Sequence, residues 1–411
     1  MTMTQKYQQY KAIKFKSRLS CVVCDKNSGQ ALIRLPQFPL TEIYVKEKVR
    51  QKLGFLDQEF HLCRHCGHGQ IKNVIDPKTL YGGSYVTRTS TSSSAQAAVD
   101  IFLQFISKIL QKRKIGTVFE IGCNDLYALN KLRNQAELLV GVDPILKGQE
   151  KQFSDKKIRI IGDFFENVDF KKLGLEMDIV FSSHTLEHIA DPKKLIQKML
   201  AYGTDKTVYF FQFPSLEVLV NDAHFDQIFH QHLNYFSLRS VLYLLEDLGG
   251  ELIDFQINPY HWGALMIAFR KKTSQSKDRN LFNKRIRPIT PKYLLGQYEL
   301  FKRNMRLTAD RIDAAANLPL YGYGAALMLP VLEYYLKRLS KLRYILDEDP
   351  AKTNYYYLNL PIQIKRPDQV SNLKDSAIIV TAINSLQAVR AILKRLIELN
   401  VEKIILPENL I

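Results

Sequence analysis

Two C-x-x-C pairs, Cys21-Val-Val-Cys24 and Cys63-Arg-His-Cys66, hold four of the chain's five cysteines. A tight knuckle presents two thiolates, and two knuckles make a tetrahedral zinc site. Four sulfur ligands leave no position for a reactive water, so a structural Zn2+ is expected, with His65 and His68 as neighbours rather than ligands. A redox role suits the pairs less, because neither stands in a strand–helix–strand context. Two disulfides would need an oxidising compartment.

The second concentration of reactive side chains is His224-Phe-Asp226-Gln-Ile-Phe229-His230-Gln231-His232-Leu-Asn234-Tyr235. Imidazole titrates near neutrality and suits proton transfer at cellular pH. Metal binding and plain packing are the competing uses of these histidines. Acid/base chemistry is favoured, with His232 and His230 as candidate catalytic residues and Gln231 beside them. Tyr85 brings a hydroxyl in the loop Leu80-Tyr-Gly-Gly-Ser-Tyr85, which precedes a Thr/Ser run and reads as a lid or a linker.

These groups need elements to hold them. Thr117–Ile121 reads as a strand, Gly122 breaks it, a helical segment begins near Asp125, and Leu138–Val142 is a second strand ending on Asp143. The turn allows backbone to approach a ligand closely. Asp143 can accept hydrogen bonds from ribose hydroxyls. A dinucleotide fold wants G-x-G-x-x-G, and only Gly122 is present. Glu120-Ile-Gly122-Cys-Asn124-Asp125 instead resembles the first motif of class I S-adenosylmethionine (SAM) methyltransferases. Further strands are expected at Lys157–Ile161, Asp178–Ser182 and Thr207–Gln212. Asp163 and Phe164 follow the third, as an acid for an adenine amino group and a ring to stack on it. His184 ends the fourth, at the edge where open α/β sheets bind ligands. His188 is expected in helix packing. A helix at Leu238–Leu248 and a hairpin, Glu251–Ile257 with Ala264–Arg270, close the series. Before it, a helix is expected over Ala95–Arg113 with Ser94 as N-cap.

The 411 residues divide into an expected zinc-binding domain at 1–84, a SAM-binding doubly wound sheet with a terminal β-hairpin at 95–275, and a Rossmann-like α/β domain at 290–411. The last begins with a helix at Pro291–Ala316. Strand Leu318–Tyr321 then enters Gly322-Tyr-Gly324, and Arg343–Leu346 ends on Asp347. This unit also imitates a nucleotide fold, so it either holds part of a nucleotide substrate or only packs. A net charge of +17 favours anionic partners. The basic residues are spread over Lys11–Arg18, Lys46–Lys52, Lys108–Lys114 and Arg270–Lys292, with no stripe of interleaved aromatics, so nucleic acid is not the expected partner. No apolar run reaches the length of a membrane span, and residues 1–20 lack an apolar signal core. A cytoplasmic protein is expected, as a monomer or small homo-oligomer.

The combination resembles the three-domain sugar C-methyltransferases, over nearly the whole chain. The paired C-x-x-C motifs, the Glu-Ile-Gly-x-Asn-Asp turn, the Tyr-Gly-Ala stretch and Asp347-Glu-Asp-Pro350-Ala-Lys352 carry the likeness. The most specific block in that family reads Phe-Asp-x-Ile-Tyr-His-Glu-His-Leu-x-Tyr-Phe-Ser. Here it is Phe225-Asp226-Gln-Ile-Phe229-His230-Gln231-His232-Leu-Asn-Tyr235-Phe-Ser237. The resemblance implies SAM as methyl donor and a nucleotide-linked 4-keto-6-deoxysugar as acceptor. It implies that His232 removes the C3 proton and that Tyr85 lies near the acceptor. The chain departs from the family at Phe229 for Tyr, Gln231 for Glu, Leu126 for Gly and His261-Trp262-Gly263 for His-Gly-Gly. These changes bear on the acceptor more than on the fold. A nucleic-acid or small-molecule O- or N-methyltransferase, and a scaffold with a degenerate site, are the alternatives.

Overall fold

The computed structural model describes residues 7–81, 88–111, 113–260, 262–273, 287–383 and 386–408. Tyr85 and His261 lie outside the described residues.

The N-terminal part supplies β1 (Phe15–Ser17), β2 (Ile33–Pro39), β3 (Tyr44–Val45), β4 (Phe55–Leu62), β5 (Gly69–Ile71) and β6 (Asn73–Ile75). The middle part supplies β7 (Ile115–Ile121), β8 (Ala136–Val142), β9 (Ile158–Ile161), β10 (Ile179–Ser183), β11 (Val208–Pro214), β12 (Asn234–Tyr235), β13 (Gly250–Asn258) and β14 (Ala264–Lys271). The last part supplies β15 (Leu320–Tyr323), β16 (Tyr344–Leu346), β17 (Tyr356–Tyr357), β18 (Ile364–Lys365), β19 (Ala377–Val380) and β20 (Lys403–Ile405).

The middle sheet has seven strands in the order β13-β14-β11-β10-β7-β8-β9. β14 runs antiparallel to both of its neighbours, β11 and β13. The other pairings in the sheet are parallel. The central strands are apolar along nearly their whole length because helices cover both faces. The helix Ser93–Leu110 buries Val99, Phe102, Phe105, Ile106 and Leu110, a stripe at helical spacing. Its cap is Ser92, which accepts from the Ala95 amide, and not the expected Ser94. It stops at Leu110, short of the expected Arg113, because Gln111 turns left-handed at φ 53°.

The C-terminal sheet is parallel, in the order β18-β16-β15-β19-β20. β15 begins at Leu320 rather than at the expected Leu318. Pro319 stands between them, and proline has no amide to give a ladder.

Two pairings stitch the parts together. β12 joins the N-terminal sheet, giving the order β12-β5-β4-β2. β17 pairs with β3. One apolar cluster accordingly runs from Phe38 and Phe60 through Leu216, Phe225 and Tyr235 to Phe301, Tyr321 and Ile345. The histidine block between β11 and β12 therefore lies where the parts meet. Among the described residues, no helix is long and apolar enough to cross a membrane.

Candidate active site

The four cysteines converge. Cys21 and Cys66 Sγ lie 3.6 Å apart, Cys24 and Cys63 Sγ 3.5 Å apart, and all four sulfurs fall within 4.8 Å of one another. The group is buried. Four converging sulfurs with no open position fit a structural zinc ion. His68 is fully buried against Phe236, 4.8 Å between centroids, and His65 faces Tyr243.

The turn after β7 is dense with acid. Glu120 is 3 % exposed, and its Oε2 has no hydrogen-bond partner among the described residues. Burial, with Asp143 and Asp125 nearby, holds its carboxyl well above the usual range. Asp143 follows β8 and accepts from the Asn124 amide at 2.8 Å and the Ile145 amide at 3.0 Å. Each carboxylate oxygen keeps a second lone pair, so a ribose can still bind there. Gly122 sits at φ 75°, and a Cβ there would stand 2.2 Å from Thr185 Oγ1. Asn124 and Leu126 are left-handed as well, at φ 45° and 65°. Leu126 thus takes up the backbone form that glycine adopts freely.

Asn124 and Asp125 are already engaged. The Asn124 side-chain oxygen accepts from the Thr89 amide at 3.4 Å, and Asp125 Oδ2 accepts from the Ser90 amide at 2.9 Å. The Ser/Thr segment is folded onto the turn. Asp163 follows β9 and accepts from the Phe164 amide and the Asn167 side chain, which keeps its carboxyl low. The Phe164 ring is 44 % exposed and available to stack. His184 follows β10 at a left-handed φ of 52°. Each of these residues follows a strand or ends it, along one edge of the sheet. An unmet buried carboxylate oxygen, an obligate glycine and an exposed ring fit SAM.

The histidines of the block lie in different surroundings. His232 is 6 % exposed, its ring 4.0 Å from Phe229 and 5.0 Å from His188. His188 is not in helix packing: it ends a single 3-10 turn, Leu186–His188, and its Nδ1 donates to the Gln231 carbonyl at 2.9 Å. Glu187, His188 and His232 each bring one donor atom within 4.8 Å of the others. The sequence signal for Glu187 was its place in Ser-His-Thr-Leu-Glu-His, just past a strand end.

Two expectations need correction. His230 is fully buried, its Nδ1 3.2 Å from Gln58 Nε2 and its Nε2 3.2 Å from the Phe38 carbonyl. Both ring nitrogens are used in the N-terminal sheet, and burial pushes its pKa down to about 4. A histidine so held braces β2 and β4 with both of its ring nitrogens. Gln231 is likewise occupied: its oxygen accepts from the Thr41 hydroxyl at 2.8 Å and its amide donates to the Thr41 carbonyl at 2.9 Å. His224 turns to Asp226, so the three histidines of the block do not converge on a metal.

Residues 94–254 match a family model described as a methyltransferase domain. Residues 21–81 match a second family model, described as "Putative zinc binding domain", in agreement with the four-sulfur site. A C-methyltransferase from Streptomyces niveus, NovU, is 26 % identical over 212 residues, which are 50 % of this chain and 49 % of that protein. The chain thus spans about half the length of this curated relative. Among solved structures, a Burkholderia thailandensis 1,6-didemethyltoxoflavin N1-methyltransferase is 14 % identical over 43 % of this chain and 80 % of its own, with a TM-score of 0.34. The Bradyrhizobium japonicum N-methyltransferase NodS is 13 % identical over 42 % of this chain and 87 % of its own, with a TM-score of 0.33.

Proposed function

We propose that the protein methylates a carbon next to a carbonyl on a nucleotide-linked sugar, with His232 as the general base. One observation carries this reading: the only histidine of the His-Gln-His block with its ring turned to the methyltransferase domain is the one that matches the base position of the sugar C-methyltransferases. His232 lies against His188, beyond β10, and β10 pairs with β7 so that Ser182 faces Ile121, next to Glu120 and Gly122. On this reading the base and the cofactor turn lie toward the same end of β10 and β7.

SAM supplies an electrophilic methyl group when bound. The chain's own groups do the rest. Glu120, Asp143, Asp163 and Phe164 hold and orient the nucleoside, with Gly122 keeping the turn low. His232 accepts the proton from the acidified carbon, and the charge that develops goes to the acceptor's carbonyl oxygen. The buried rings of Phe229 and Tyr235 flank His232 and keep water from this corner. The match to NovU over half of each chain supports carbon as the methylated atom. The zinc site fixes the sheet to which β12, and with it the base, belongs. Tyr85 is proposed at the acceptor, His184 at the cofactor. The protein acts in the cytoplasm on a small molecule, as a monomer or small oligomer.

The test is turnover of a nucleotide-linked 4-keto-6-deoxysugar with SAM, followed by mass and by loss of the C3 proton. His232→Asn should lower kcat by about 10²–10⁴-fold and leave binding of S-adenosylhomocysteine within twofold. Transfer to oxygen, or full activity in His232→Asn, contradicts the proposal.

A further inference from the structure

We propose that Glu187 is the counter-ion and positioning residue for the base at His232, taking the part that a glutamate at position 231 would play. The inference rests on His232 being the base, as proposed above. Gln231 carries no charge and spends both ends of its amide on Thr41. An imidazolium formed at His232, almost fully buried beside Phe229 and Tyr235, would then be an uncompensated charge, which is costly. Among the described residues, Glu187 is the carboxylate that clusters with His188 and His232. It is 1 % exposed, its Oε1 is 3.2 Å from His184 Nδ1, and its Oε2 is buried without a hydrogen-bond partner among the described residues. Its donor atom lies within 4.8 Å of those offered by His188 and His232.

The surroundings suit a shared proton. His188 is fixed as the Nδ1–H tautomer by the Gln231 carbonyl, so its Nε2 is left as an acceptor. The Glu187 carbonyl accepts from the Leu233 amide, which ties the acid's own backbone to the residue after His232. The titratable groups facing Glu187 are His184 and His188 from its own turn and His232 from the block. Arg18, bonded to the Leu233 and Ala190 carbonyls, is the cation that the N-terminal part brings to this corner. Burial pushes the Glu187 carboxyl up to about 7, into the range in which it and an imidazole exchange a proton at little cost.

The experiment uses the full chain, loaded with zinc and S-adenosylhomocysteine, with 15N-labelled imidazoles followed by NMR from pH 5 to 9. Glu187→Gln should move the His232 titration midpoint down by at least one pH unit, a tenfold change in proton affinity, while Glu187→Asp keeps most of it. An unchanged midpoint in a folded Glu187→Gln protein overturns the proposal. If that variant does not fold, the wild type decides, with 13C-labelled glutamate added. Two coupled steps, each seen by both the Glu187 carboxyl and the His232 ring, support the pair; two independent single steps overturn it. A second zinc equivalent per chain, removed by His188→Ala, would also overturn it by making the three groups metal ligands. None of these readouts needs turnover. Loss of methylation with the titration coupling intact would therefore fault the base assignment and not the pair.

Discussion

The two parallel sheets carry the same local design and put it to different uses. In each, a strand runs into a glycine turn, and the neighbouring strand ends on an aspartate. In the middle sheet that edge holds Glu120, Asp143 and Asp125 close together, with one Glu120 oxygen left without a partner. In the C-terminal sheet the matching edge is filled by the chain itself. Asp347 accepts from the Ala325 amide at 2.6 Å and lies 3.5 Å from Lys352 Nζ. Tyr44, from the N-terminal part, donates to the Ala325 carbonyl, and Tyr357 donates to the Ala326 carbonyl. β3 and β17 bring those two tyrosines together, 5.0 Å between rings. The first edge keeps a buried acid with one oxygen unsatisfied among the described residues, a common mark of a binding site; the second is a satisfied joint between the N- and C-terminal parts. A glycine turn and a strand-end acid thus permit a nucleotide site without requiring one.

The largest effect on this contrast should come from the metal. Cys63→Ser should remove zinc and cost roughly 5 kcal/mol or more, read as zinc content and a lowered unfolding midpoint. Because β12 belongs to the zinc-stapled sheet, the acceptor corner should loosen with it. Next, Glu120→Gln should weaken S-adenosylhomocysteine binding at least tenfold, about 1.4 kcal/mol, yet leave the fold as stable or more stable. Removing a buried acid that lacks a partner relieves strain, so affinity and stability should move in opposite directions.

His230 sharpens the contrast through pH. Its pKa is near 4 in the fold against the ordinary 6.5, so the unfolded chain binds the proton first as pH falls. The stability it contributes is whole above 6.5 and is lost as pH drops toward 4, by about 3 kcal/mol in all. His230→Asn should therefore cost most at pH 7.5 and markedly less at pH 4.5, measured by denaturant unfolding. Glu187, whose carboxyl is raised, works in the opposite sense over an overlapping window, so only the difference between variant and wild type isolates the histidine. The smallest effect should be Tyr357→Phe, about 1 kcal/mol, because the Ala326 carbonyl keeps the Leu329 amide as a second partner. It should leave cofactor affinity unchanged.

Much of this was legible in the sequence. The cysteine pairs announced their site because four thiolates at that spacing have few other uses. The succession of the seven strands along the chain was legible as apolar runs and a closing hairpin, since strand period and burial are local properties; their order across the sheet was not. What was not legible is what depends on distant parts of the chain. His230 and His232 stand two apart, which in a strand would give them one face. The chain between the 3-10 turn Phe225–Gln227 and β12 is irregular, and the two rings part, one into the N-terminal sheet and one toward β10. Thr41 and Gln58, which claim Gln231 and His230, lie far off in sequence. Asn124 and Asp125 were read for the cofactor, and the segment after Arg88 uses them first. Leu126 carries a related lesson. Its left-handed backbone costs about 1 kcal/mol, but its side chain is 4 % exposed, and losing that burial would cost more.

The most direct measurement is a calorimetric titration of S-adenosylhomocysteine into the zinc-loaded chain and into two variants, Glu120→Gln and Asp347→Asn. One site per chain is expected, weakened at least tenfold by Glu120→Gln and unchanged by Asp347→Asn, which should instead lower stability. Affinity that follows Asp347, or no binding to the folded wild type, would contradict the assignment of the first edge as the site and the second as the joint.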